Sequence, residues 1–376
     1  MEDLTSGSKR RRLVDSMNDQ SQQQSLLTGL PDDVAQLCLA RVHPSNLYSV
    51  CRSWRRLIYS PSFPPFLSLY AVMRSTSNSD PTQFHDSIDF FSFDPISSHW
   101  QTLPSPPPIH FVLRHPSFIS RNLPIQSVTV SGRLVLIAAT AHQFLPALPN
   151  PIVFDPLTQT WDFGPPLTAP RRWCATGVSG GAVYVASGIG SHYNSEIARS
   201  VEKWDLQNGK NRGRRGLNWE KLGILKDGKF SREAIDAVGW RKKLYMVNVK
   251  GIAAKEGVVY DVENDRWEEM PDGMICGWRG PAAAMDEETI FVVDEAKGIL
   301  RRYEGESDSW ADVYLDERLK QAEQMTAASG RVCVVCGDGG ILVVDVLESP
   351  VTSWIVESPV GYQPVSLHIL PRMSNI

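Results

Sequence analysis

Long apolar runs, a cysteine framework and an excess of either charge are all missing from this chain of 376 residues. Its longest near-apolar stretch, Leu134 to Ala141, is far shorter than the ~18 residues a membrane-spanning helix needs, so no integral membrane protein is expected. The first 25 residues contain no apolar run behind their charges, so no secretory signal is expected either. Without export, the six cysteines are expected to remain thiols, which excludes a disulfide scaffold. With 38 Lys+Arg against 42 Asp+Glu, the net charge of −4 creates no field that would gather nucleic acid or an anionic membrane. Catalytic signatures are also absent. The eight histidines show no paired metal-binding spacing, and neither a Gly-x-Ser-x-Gly elbow nor a phosphate loop occurs. Cys333 and Cys336 have metal-like spacing, but on a strand residues three apart point to opposite faces, and no second pair exists. No cofactor and no metal are expected.

What is present falls into three parts. Residues 1–25 are rich in Ser, Gln, Asn and charge and read as a disordered tail, in which Lys9 to Arg12 is a candidate nuclear-import cluster. Residues 26–63 have a helical period. Val34, Leu37, Cys38 and Val42 recur at helical offsets, His43-Pro44-Ser45 breaks the run, and Leu47, Val50, Cys51, Trp54, Leu57 and Ile58 predict one second helix. Pro31 suits a first helical turn, and Asp32 and Asp33 complement the positive helix end. Pro61, Pro64 and Pro65 end this part.

From residue 66 the period becomes two, in short runs of Val, Ile, Tyr and Phe punctuated by Gly, Pro, Asn and Asp. An internal repeat organises them. Phe93-Asp94 precedes Trp100, Phe154-Asp155 precedes Trp161, Tyr260-Asp261 precedes Trp267 and Tyr303-Glu304 precedes Trp310, each with the same gap of 7. Two stretched copies are Trp204-Asp205 with Trp219, around a basic insert at 208–216, and Val344-Asp345 with Trp354. The Trp spacings of 61, 58, 48, 43 and 44 describe six four-stranded modules near the length of propeller blades. The first unit lacks a strand, while Pro364 to Leu370 is left over at the other end. A ring in which this strand completes blade 1 has no open edge. The recurring Trp residues are expected to pack between blades, where each buries ~150–250 Å².

Leu30-Pro31-Asp32-Asp33-Val34, Cys38-Leu39-Ala40-Arg41-Val42 and Val50-Cys51-Arg52-Ser53-Trp54-Arg55 resemble the F-box, and the six β units resemble kelch repeats. Together they resemble the plant F-box/kelch-repeat proteins over residues 26 to about 371. The fold this implies is mainly β: a six-bladed kelch-type β-propeller over 64–371, preceded by a small α-helical F-box over 26–63. The resemblance implies a Skp-type adaptor as partner, and through it a cullin and a RING protein. That would make the chain the non-catalytic substrate-recognition subunit of an SCF-type ubiquitin ligase in the cytosol or nucleus. Adaptor-facing residues would be Leu30, Pro31, Val34, Leu37, Cys38, Leu47, Val50, Cys51, Trp54 and Leu57. Some 38 residues bury too little apolar surface alone, which independently calls for a cover. The alternatives are helices that merely cap the propeller, a kelch scaffold outside any ligase, and a propeller metalloenzyme whose ligand set is not visible.

The target site is sought in the loops that lead into the first strand of each blade. Arg172, Arg232 and Arg279 each lie 7 residues before the turn that follows that strand, so three neighbouring blades would present guanidinium groups on one rim. Arg171, Trp173 and Trp278 would join them as planar anchors. Arginine pairs bidentately with carboxylate or phosphate, so the expected ligand is an acidic or phosphorylated segment of a target protein.

Overall fold

The structure is a computed structural model that describes residues 25–76, 88–109, 126–139, 147–206, 218–226, 230, 234–250 and 253–373. The tail with Lys9 to Arg12, the basic insert at 208–216 and Arg232 lie outside the described residues. Two compact units emerge: Met1–Pro64 together with Asn375–Ile376, and Pro65–Ser374.

The first unit holds three short helices: α1 (Asp32–Leu39), α2 (Pro44–Val50) and α3 (Arg52–Ile58). Pro31 precedes α1, and Asp32 and Asp33 occupy its first turn. Pro44 begins α2, where the His43 ring accepts from the Ser45 N–H at 3.3 Å. The single second helix expected over Leu47 to Ile58 is in fact two, because Cys51 is extended at φ −156°, ψ 167°. Helical geometry explains the break. Ten residues of unbroken helix turn through about 1000°, which would aim Leu57 roughly 80° away from Leu47. With the chain re-aimed at Cys51, Leu47, Leu57 and Ile58 are all buried. The Trp54 indole N–H donates to the Leu26 carbonyl at 2.7 Å, tying α3 to the chain that leads into α1.

The second unit is six antiparallel four-stranded sheets. Their innermost strands are Tyr362–Pro371 in blade 1, Gln126–Val130, Ala175–Ser179, Ala234–Trp240, Ala282–Met285 and Gln324–Ala328 in blade 6. The ring is closed within blade 1. Its remaining strands, Leu67–Ser75, Ile88–Asp94 and His99–Thr102, come from the beginning of the unit, and Leu67–Ser75 pairs with Tyr362–Pro371 from Leu67↔Pro371 to Ser75↔Tyr362. The Tyr70 hydroxyl adds a bond to the Pro371 carbonyl at 2.8 Å.

The repeated aromatic, acid and tryptophan now have physical roles. The acid caps the turn between the third and fourth strands: Asp94 accepts from the Ile96 N–H at 2.8 Å, Asp155 from Leu157 at 3.0 Å and Asp261 from Glu263 at 3.1 Å. The tryptophan sits opposite the aromatic, with ring centroids 5.2 Å apart for Phe93 and Trp100 and 4.9 Å for Phe154 and Trp161. Its indole N–H donates to the chain leaving the preceding blade: Trp100 to Glu357, Trp161 to Pro104, Trp219 to Pro165, Trp267 to Gly223 and Trp310 to Met274, at 2.7–3.2 Å. Five blades are latched in this way.

Blade 6 departs from the repeat. Here Ser353 lies opposite Val344 and Trp354 lies opposite Val343, one position beyond the tryptophan of the other blades. A one-residue slip moves a strand side chain to the other face. Ser353 therefore takes the latch position, bonding the Tyr314 hydroxyl of blade 5 at 2.7 Å, and Trp354 turns toward blade 1. Cys333 and Cys336 are both buried, and burial raises the Cys333 thiol to about 12 and the Cys336 thiol to about 11.

Candidate functional surfaces

In the helical unit α1 carries two apolar stripes. Ala35 and Leu39, one turn apart, are buried. The other stripe remains uncovered: Val34 is 41% and Leu37 71% exposed, Cys38 is exposed beside them, and Leu30, Pro31, Val42, Val50 and Cys51 are exposed as well. Among the predicted adaptor-facing residues, the structure places Leu30, Pro31, Val34, Leu37, Cys38, Val50 and Cys51 on the surface. Trp54 is half-buried through its bond to Leu26. Leu47 and Leu57 are corrected: with at most 5% exposure they are buried and have no surface to offer a partner.

In the propeller, Arg172 and Arg279 each lie three residues before an inner strand, in blades 3 and 5, so topology puts both at the same end of the ring. Arg279 is exposed, with its Nε donating to the Cys276 carbonyl at 3.1 Å. Arg172 is half-buried, its guanidinium stacked over the Trp173 ring at 4.4 Å. Trp173 thus acts as the platform of Arg172.

Two predicted members of this site do not belong to it. Arg171 is 1% exposed and forms an ion pair with the equally buried Glu202. Its remaining N–H groups donate to the Ala169, Ser187 and Ile197 carbonyls and to the Ser200 hydroxyl. Burial lowers its pKa and Glu202 opposes that shift. Glu202 also receives the Thr168 N–H at 3.0 Å. Trp278 is fully buried, edge-on to Trp310 at 6.3 Å. Both fill blade interiors because a lead-in loop has to close over its own blade before it can present anything to solvent.

The inner strands surround a central cavity of about 420 Å³. Asp236, Asp286, Glu287 and Glu323 lie along it, with no lysine or arginine among the described lining residues. The bore therefore disfavours an anionic ligand. Toward the opposite end, the Glu287 carboxylate of blade 5 accepts from the Gly180 N–H at 3.0 Å and the Ser179 hydroxyl at 3.3 Å in blade 3. The backbone beneath is tight. A Cβ on Gly239 of blade 4 would stand 1.7 Å from the Val178 carbonyl oxygen, so only glycine fits there.

On the wall between blades 1 and 2, His368 joins three hydroxyls: Ser127 at 2.9 Å and Ser366 at 3.1 Å through Nε2, and Thr129 at 3.2 Å through Nδ1. Burial lowers its pKa from 6.5 to about 3. The unfolded chain therefore binds a proton below about pH 6.5 that the folded chain refuses until about pH 3. Stability contributed here is present above 6.5 and lost as pH falls through that window, by up to about 1.4 kcal/mol per pH unit. Thermal melts of wild type and His368→Gln between pH 7 and 4 should show a smaller loss in the variant. Parallel curves would refute the assignment. Neither this network nor the Glu287 bridge had a sequence signal, since each joins residues of different blades.

No family model matches the chain. Among curated proteins it is 53% identical over 376 residues to the F-box/kelch-repeat protein SKIP25 of Arabidopsis thaliana, covering 98% of this chain and 94% of that protein. The F-box protein AFR of the same plant is 25% identical over 95% of this chain and 97% of its own length. The F-box/kelch-repeat protein SKIP4 is 22% identical over 86% of this chain and 85% of its own. Helices with an uncovered apolar stripe, a six-bladed ring, and a near full-length relative of more than half identity agree: this chain belongs to the F-box/kelch-repeat proteins.

Proposed function

We propose that the chain is the substrate-recognition subunit of an SCF-type ubiquitin ligase, acting in the cytosol or nucleus. In this reading the F-box docks a Skp-type adaptor, which brings the cullin and the RING protein, while the propeller holds the target. The observation that carries it is the exposed stripe of Leu30, Val34, Leu37, Cys38 and Val50, which nothing among the described residues of the helical unit covers. Covering such side chains is worth ~1.5–3 kcal/mol each for the larger ones, enough to drive association. The chain does no chemistry itself. Ubiquitin is transferred from the conjugating enzyme held by the RING protein, and the receptor contributes proximity, which removes much of the entropic barrier. Arg172 and Arg279, with Arg232, supply the donors for an acidic or phosphorylated target segment.

One pull-down experiment with two arms tests both halves. Leu30→Ala, Pro31→Ala and Leu37→Asp together should cut adaptor co-purification at least 10-fold while leaving the propeller melt unchanged. Arg172→Ala, Arg232→Ala and Arg279→Ala together should leave the adaptor bound and empty the target fraction. Undiminished adaptor binding in the first variant would overturn the receptor reading. Unchanged captured partners in the second would move the target site elsewhere on the ring.

A further inference from the structure

The register slip in blade 6 leaves Trp354 without the job its counterparts perform. It is 41% exposed, and its indole N–H has no acceptor among the described residues. Its ring instead borders a slot of about 70 Å³ between blades 6 and 1. Leu67, Phe93, Cys333, Val343, Val356 and Ile369 are among the apolar side chains that line it. The slot is overwhelmingly apolar, and it is too small for a small-molecule pocket of ~300 Å³ or more. It suits one aliphatic side chain.

The rim of the slot is made of donors. Above Trp354 stands the Arg331 guanidinium, 5.7 Å from the ring centroid. Arg331 approaches Asp345 through Nε at 3.5 Å, and its side chain is 45% exposed, so N–H groups of its guanidinium face solvent. Asp345 accepts from the Leu347 N–H at 3.2 Å through Oδ1 and lies 3.5 Å from Arg331 through Oδ2, which leaves the outer N–H groups of Arg331 toward an occupant. An occupant must therefore bring an apolar group for the slot and an acceptor for the rim. The position is also distinctive. Pro95 lies in a turn from third to fourth strand, Ser329 in a turn from first to second, and Leu67 begins a second strand, all at the end of the ring opposite the loops that carry Arg172 and Arg279.

We propose that this slot docks an extended segment of a partner protein that carries an aliphatic side chain directly beside a carboxylate. Trp354 and the slot hold the aliphatic group, and the indole N–H and Arg331 hold the acid. Because the two ends of the ring are separate, such a partner does not compete with a target bound at the arginine rim. The ring then has two independent docking faces. This reading does not depend on the ligase assignment.

The test uses the full chain on an array of synthetic hexapeptides in a Gly-Ser background, each with one variable aliphatic or polar residue followed by Asp, Asn or Lys. Wild type should prefer aliphatic-Asp peptides over aliphatic-Lys peptides by about 10-fold. Trp354→Ala should abolish binding, whereas Arg331→Gln should keep the aliphatic preference and lose the choice between Asp and Asn. Melting temperatures of both variants separate lost binding from lost folding. The milder Trp354→Phe serves if Trp354→Ala unfolds, and it should retain aliphatic selection with weaker acid selection. A flat array, or binding that Trp354 variants do not change, would overturn the proposal. So would a wild-type dimer that Trp354→Ala converts to monomer, since the slot would then belong to a second copy of this chain.

Discussion

Removal of residues 362–376 should prevent the propeller from folding as a monomer. The strand Tyr362–Pro371 pairs with Leu67–Ser75 along its length and buries Leu367 and Leu370 almost completely. A ladder bond contributes ~0.5–1.5 kcal/mol net and a fully buried leucine ~1.5–3 kcal/mol. Summed over the strand, the loss is comparable to the whole ~5–15 kcal/mol by which a domain is stable. One hydrogen-bonding edge is opened as well, on Leu67–Ser75, and the sides of Gln126–Val130 and Gln324–Ala328 that pack against the closing strand are uncovered. Size-exclusion chromatography should show aggregates, and supplying a synthetic peptide of residues 360–376 should restore a cooperative melt. A truncated chain that is monomeric and melts within a few degrees of the full chain would contradict the closure.

The second large effect is expected at Glu202, the partner of Arg171, which the sequence had placed on the rim. Glu202→Ala removes the only carboxylate that pairs with Arg171 among the described residues and leaves a guanidinium that is 1% exposed. Breaking a buried pair from one side typically costs ~3–5 kcal/mol, because the surviving charge is stranded away from water. Replacing both partners with apolar residues of similar size, Arg171→Met with Glu202→Leu, should recover only part of that loss, because the Thr168 N–H and the Ala169 and Ser187 carbonyls lose their partners too. Urea denaturation of the two variants and the wild type provides the comparison. A single variant no less stable than wild type would mean that Arg171 reaches solvent or another carboxylate.

The six-bladed ring was readable because its unit repeats. A phenylalanine or tyrosine, an acid and a tryptophan at constant spacing report a turn, its cap and a latch, all of them local to one blade or to the one before it. What local spacing does not report is which side of a strand a residue ends on. Trp354 looked like a sixth copy, and only its pairing with Val343 shows that it points the other way. Similarly, Arg172 and Arg279 each stand three residues before an inner strand, but Arg171 and Trp278, their immediate neighbours, turn inward. On α1 the visible period picked out Val34, Leu37 and Cys38, the stripe that stays exposed, while the small Ala35 with Leu39 forms the buried one. Helical period identifies apolar faces without saying which one the chain itself will cover.

Closure by the strand Tyr362–Pro371 also sets a clock on synthesis. Its partner, Leu67–Ser75, is made about 300 residues earlier. At ~5–20 residues per second, that partner waits on the order of 15–60 s with an unpaired edge, while five blades assemble behind it. The nascent ring is therefore an open arc for most of its production, and its last strand decides whether the arc becomes a closed ring or a substrate for chaperones. Variants that weaken this strand should reduce the yield of folded protein in cells more than they reduce the stability of the molecules that do close.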